Sequence, residues 1–150
     1  TMPQSMPTTP TSGANHSGLR RQLNLAIPAE AEQIAQATDA VLACLADLKV
    51  EEEKSMAIGL AVQEALANAV THGCQNDPSK TVQCELSRDE SGHILIVVTD
   101  PGPGFDFSAT PKPAVQDVYN DHGRGVFLIR QLMDEVSFER GGSIIQMWKY

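Results

Sequence analysis

Residues 58–73 read IGLAVQEALANAVTHG, and their periodicity predicts an amphipathic helix. Ile58, Ala61, Val62, Ala65, Leu66 and Ala69 recur at helical spacing and form one apolar arc. Glu64, Asn68 and His72 lie four apart, so at roughly 100° per residue they make a slowly drifting polar stripe. That stripe runs along the edge of the apolar arc rather than opposite it. A carboxylate, a carboxamide and an imidazole beside a core need partners, because unpaired burial of each costs about 2 kcal/mol or more. Neighbouring backbone meets that need in an ordinary helix; a bound ligand meets it in a functional one.

The chain before this helix supplies a strand and a helix. Residues 1–20 are rich in Thr, Pro and Ser and read as a disordered tail, leaving residues 21–150 as one domain. Gln22–Ile27 alternates and suits a first strand, with Leu23, Leu25 and Ile27 on one face. Ala29–Leu48 is a helix whose buried stripe is Ile34, Ala37, Val41, Leu45 and Leu48. It contains no Lys or Arg. Glu51–Glu53 start the long central helix, and Gly59 within it costs about 1 kcal/mol relative to alanine, which marks close packing.

After it come hairpins. Thr81–Arg88 places Val82, Cys84 and Leu86 on one face. Asp89-Glu90-Ser91-Gly92 is a turn, and His93–Thr99 is a nearly continuous apolar strand. Asp100–Asp106, DPGPGFD, ends that strand. Phe107–Asp121 lacks apolar periodicity and reads as a mobile loop. Gly123-Arg124-Gly125 opens a helix, and residues 134–140 and 143–149 form a last hairpin joined by Gly141-Gly142. Phe138 and Trp148 belong to that hairpin as packing residues. The order β-α-α-β-β-loop-α-β-β gives an α/β (α+β) two-layer sandwich: a mixed, mostly antiparallel sheet with helices on one face.

Composition narrows the function classes. The chain of 150 residues is 41% hydrophobic with a formal charge of −8, and its basic residues do not cluster. A nucleic-acid surface is not expected, since such surfaces rest on clustered Lys and Arg. No apolar run approaches the ~20 residues of a membrane span. No apolar signal core opens the sequence, so a cytoplasmic location is expected. Cys44, Cys74 and Cys84 have no metal-ligand spacing and read as reduced thiols.

Three pieces carry chemistry: Glu64-xxx-Asn68, Asp100-x-Gly102-x-Gly104, and Gly123-x-Gly125. The Rossmann and Walker glycine patterns are both absent. A carboxylate at the end of a buried strand accepts a hydrogen bond from an exocyclic amine, and glycines beside it admit a flat base. A glycine-flanked helix start presents N–H groups to phosphates. An Asn oxygen suits Mg²⁺, and a carboxylate one helical turn away suits proton abstraction from a hydroxyl.

In this order and spacing, AVQEALANAVTHG, DPGPGFD and HGRGVFLIRQLMDEV resemble the N, G1 and G2 boxes of the GHKL ATPase superfamily, the Bergerat ATP-binding fold. Among its members they are most similar to the bacterial anti-sigma factor serine-protein kinases. The resemblance implies ATP and Mg²⁺ as cofactors, Asn68 as the metal ligand and Glu64 as the catalytic base. It implies that Asp100 reads the adenine amino group, with Gly102 and Gly104 shaping the base pocket. Gly123, Arg124 and Gly125 are implied at the phosphates, and Phe105–His122 as a lid. Ser143 stands where the family usually has threonine and is implied to support the adenine. The implied partners are a STAS-type anti-sigma antagonist and a sigma factor, and a homodimer is expected. The first helix departs from the family by lacking arginine on its partner-facing side.

Three functions fit these residues. One is an ATP-dependent kinase phosphorylating a serine of a small antagonist protein. Another is a nucleotide-loaded partner-binding module that transfers nothing. The third is a stand-alone ATPase or detached histidine-kinase fragment; the absence of phosphoacceptor helices argues against the fragment.

Overall fold

The computed structural model describes residues 17–102 and 121–150, the side chains of 121–124 excepted. The chain runs β1 (Arg20–Pro28), α1 (Ala31–Asp47), α2 (Glu52–Asn68), β2 (Thr81–Arg88), β3 (Ile94–Thr99), α3 (Asp121–Leu132), β4 (Glu135–Glu139) and β5 (Ile144–Lys149). The five strands form one sheet in the order β1-β2-β3-β5-β4. The α/β sandwich expected from the element order is therefore present. The sheet is fully antiparallel among the described residues rather than mixed. The reason is topological. The helix pair α1–α2 goes out and back, returning the chain beside the end of β1, so Pro28 faces Thr81. A single helix, α3, returns the chain to run β4 in the direction of β3, but β5 inserts between those two.

One face of the sheet and the helices make the core. Val41, Leu45, Ile58, Leu66, Leu86, Ile96, Ile129 and Met147 are among its fully enclosed side chains. All six residues of the predicted apolar arc on the central helix are buried. Gly59 lies where an added Cβ would come within 2.9 Å of Leu42, which accounts for a glycine inside a helix. Trp148 is buried, pairing across the ladder with Leu95, as the packing role requires.

Two local departures bear on function. The central helix does not run unbroken to Gly73. Its last turn, Ala69–Gly73, is π-helical, with the Cys74 N–H donating to the Ala69 carbonyl at 2.8 Å. A π turn takes one residue more per hydrogen-bonded step, so the end of the helix is wider than the rest. The described part of helix α3 runs from Asp121, ahead of the glycines, so Gly123 and Gly125 both lie within the helix. Most of the expected lid, Phe105 to His122, lies outside the described residues, as do Gly104 and residues 1–16 of the expected tail.

Candidate functional site

Two corners of the sandwich gather the residues singled out by sequence. The first joins α2 to α3, which pack against each other. A Cβ built at Gly125 would sit 3.1 Å from Asn68 Nδ2, 3.2 Å from Asn68 Oδ1 and 3.2 Å from Glu64 Oε1. The two polar groups of α2, one helical turn apart, thus converge on the backbone of a residue about sixty positions further along. Both side chains are half-buried. The arrangement offers oxygens of carboxylate and carboxamide beside a backbone stripped of its side chain, a donor set suited to a hard cation or a hydroxyl proton. Of Arg124, only its backbone place in α3 is described.

The second corner is the end of β3. Asp100 is buried at 7% exposure, and its Oδ1 accepts the Gly102 N–H at 2.7 Å. Its own N–H donates to the Ser143 carbonyl at 2.9 Å, which extends the β3–β5 ladder by one step and fixes the carboxylate. Burial pushes the Asp100 carboxyl above its ordinary value, and the Gly102 N–H opposes that rise. A cleft of about 300 Å³ opens here, lined by Asp100, Pro101, Gly102, Arg140 and Ser143. The Ser143 hydroxyl donates to the Arg140 carbonyl at 3.2 Å, so its oxygen keeps acceptor capacity towards the cleft. Arg140 and Gly141 have φ of 53° and 67°, and Gly142 has φ of 100°; this left-handed run wraps the turn around the cleft.

The structure also brings in two residues that sequence reasoning passed over. Gly73 presses directly on Asp100: an added Cβ there would overlap the whole carboxyl group. Arg140 lines the cleft beside Asp100. The signal for Gly73 was present, as a glycine four residues after the apolar arc ends. The signal for Arg140 was not, because its approach depends on the left-handed turn. A larger hollow of about 450 Å³ lies at the opposite end of β3, between Arg20, Arg88 and Glu90. None of the candidate residues is there. Among the described residues, no group of three or more His, Cys, Asp or Glu side chains is placed to hold a metal. No described helix is long and apolar enough to cross a membrane.

Comparison with known proteins bears on the family and the fold. The family model described as histidine kinase-like ATPase domain matches residues 27–149. The serine-protein kinase RsbW of Staphylococcus aureus is 34% identical over 102 residues, covering 61% of this chain and 62% of that protein. Among solved structures, the RsbU and RsbW domains of Rv1364c from Mycobacterium tuberculosis superpose with a TM-score of 0.60 at 16% identity. That match covers 85% of this chain and 31% of that one. The SiaB–SiaC complex from Pseudomonas aeruginosa gives 0.59 at 16% identity, over 87% of this chain and 89% of that one. At these identities the two structures show a shared fold.

Proposed function

The chain belongs to the histidine kinase-like ATPase domain family, and from that premise we propose that it is an ATP-dependent serine-protein kinase. Its second substrate is a serine of a small STAS-type antagonist protein. The observation that carries the reading is the convergence of Glu64 and Asn68 on Gly125, since it brings polar groups of two separate motifs to one point. Resemblance to a named serine-protein kinase supports the choice of reaction.

In this reading the cleft at Asp100 takes the adenine. The Asp100 oxygen not occupied by Gly102 accepts the exocyclic amine, and Gly102 and Gly104 leave room for the ring. Ser143 and the turn at Arg140 close one side. The triphosphate runs towards the N-terminal part of α3, where Gly123, Arg124 and the following Gly125 stand. The residues present fit Mg²⁺: Asn68 offers a neutral hard oxygen, and a Cβ at Gly125 would fill the space in front of it. When bound, the ion supplies charge neutralisation along the phosphates. Glu64 takes the proton from the incoming serine hydroxyl as its oxygen bonds to the γ-phosphorus and ADP departs.

The partner assignment favours the antagonist over a sigma factor, because α1 carries no basic residue on any face. A homodimer is part of the proposal by family resemblance only. The deciding experiment is label transfer from γ-labelled ATP with Mg²⁺ to a partner co-purified with the chain. Transfer by the wild type and its collapse in Glu64→Gln is the expected result. Binding of ATP and partner without transfer would establish a switching module in place of a kinase.

A further inference from the structure

One of the tightest points of the site is a residue of the preceding helix. Gly73 closes the π turn of α2, and its Cα lies against the Asp100 carboxyl group so closely that a methyl group there would overlap Cγ and both oxygens. On its other side, the Gly73 carbonyl occupies the space where a Gly102 side chain would begin. Gly102 in turn donates its N–H to Asp100 Oδ1 at 2.7 Å. Gly73, Asp100 and Gly102 therefore form a closed stack, with the carboxylate held between two backbones.

An ordinary explanation for a glycine at a helix end is the left-handed cap, where glycine alone adopts positive φ without strain. That explanation does not apply. Gly73 is absent from the positive-φ residues, and the left-handed positions after the helix are taken by Gln75 and Asn76, at φ of 54° and 58°. The glycine is therefore required by space and not by backbone angle. Against alanine, glycine is disfavoured within a helix. What that cost secures is room for the carboxylate.

We infer that Gly73 is a positioning residue for base recognition: it sets where the Asp100 carboxylate lies and thereby the preference for adenine over guanine. The inference rests on the nucleotide reading given above. Gly73 makes this approach from the end of the wide turn. Adenine offers an amine where guanine offers a carbonyl oxygen. A carboxylate displaced by a single methyl group loses the hydrogen bond to the first and with it the basis for discrimination.

The test is a double-mutant cycle of Gly73→Ala and Asp100→Ala in the full chain, read in two ways. By calorimetry with Mg²⁺, Gly73→Ala should weaken ATP binding about ten- to a hundredfold and bring the ATP:GTP ratio towards one. In the Asp100→Ala background the same substitution should change ATP affinity less than about twofold, because its target is gone. By thermal unfolding without nucleotide, Gly73→Ala should lower the midpoint in the wild type and raise it in the Asp100→Ala background, where only helix preference remains. Unchanged ATP:GTP discrimination in Gly73→Ala overturns the inference. So does equal loss of affinity in both backgrounds, or a midpoint that moves the same way in both. A wild type that binds no adenine nucleotide overturns the nucleotide reading and the specificity role together. The unfolding cycle then still reports whether Gly73 and Asp100 are coupled.

Discussion

The two corners of the site are built from different materials. At the base corner, Asp100 is fixed by its own backbone N–H on Ser143, by the Gly102 amide and by the bare Cα of Gly73. All three of these contacts are main chain, and the side chain is buried. At the phosphate corner, two flexible side chains on α2 reach towards one glycine of α3, and both are half-buried. Main-chain walls cannot yield without moving a strand or a helix, whereas long side chains have rotamers to spend. The base corner is thus suited to selecting a ligand by fit, and the phosphate corner to following a group that moves during reaction.

The sharpest way to break this contrast is at Glu64. Glu64→Gln keeps volume and removes the base, so phosphoryl transfer should fall by about 10²–10⁴-fold while ATP affinity stays within a few-fold. A quenched-flow assay of label transfer alongside calorimetry measures both. If affinity collapses in step with transfer, the phosphate corner is a binding wall like the other.

A smaller effect is expected at Asp100. Asp100→Asn should reduce ATP affinity about tenfold and erode preference over GTP, as expected for loss of a charged hydrogen bond. The same substitution should raise thermal stability in the absence of nucleotide. Burial holds the carboxyl above its ordinary 3.8, so the ionised form disfavours the fold. The contribution of Asp100 to stability is fully present below the unfolded value and is lost as pH rises through the higher folded one. Acidification through that window should therefore strengthen the apo fold while weakening ATP binding. Parallel unfolding and binding titrations in wild type and Asp100→Asn read the two opposite trends; a variant with the wild-type trends places their origin elsewhere.

At Gly125 the effect should be smaller again. An added methyl group would lie 3.1–3.2 Å from Asn68 and Glu64, a distance that side-chain adjustment relieves. Gly125→Ala should weaken Mg²⁺-dependent ATP binding several-fold while stabilising α3, since alanine is preferred to glycine within a helix by about 1 kcal/mol. A loss as large as that expected for Gly73→Ala would erase the distinction between the corners. The smallest change concerns Cys84, whose thiol burial pushes up to about 12. Native-state alkylation at neutral pH should leave it unmodified while the half-buried Cys44 reacts slowly, with peptide mapping as the readout.

Much of this architecture was legible in the residues. The alternation in β2 and the arc of α2 fix which faces meet, because a slip of one residue would expose all of Val82, Cys84 and Leu86. The motif residues could be ordered along the chain for the same reason. What could not be read was geometry set by a single residue's excess or sign of rotation. The π turn leaves no mark in the sequence spacing of Glu64, Asn68 and His72, because its extra residue enters only the hydrogen-bond step. The reach of Arg140 depends on three successive left-handed residues, which no periodicity encodes.

The wide turn at Ala69–Gly73 gives the helix a reading frame. Removing one residue there would let the backbone relax into an ordinary α ladder, with every helical hydrogen bond satisfied and the core little disturbed. The chain would look sound by spectroscopy, yet the position facing Asp100 would carry a different side chain. A gain of one residue upstream, within α2, would turn Glu64 and Asn68 away from Gly125 and swing part of the buried arc out of the core with them. Insertions and deletions in this helix are thus separated from those in the surface turns at Asn76 or Gly92. The latter change only length, whereas the former change which letters of the sequence address the ligand.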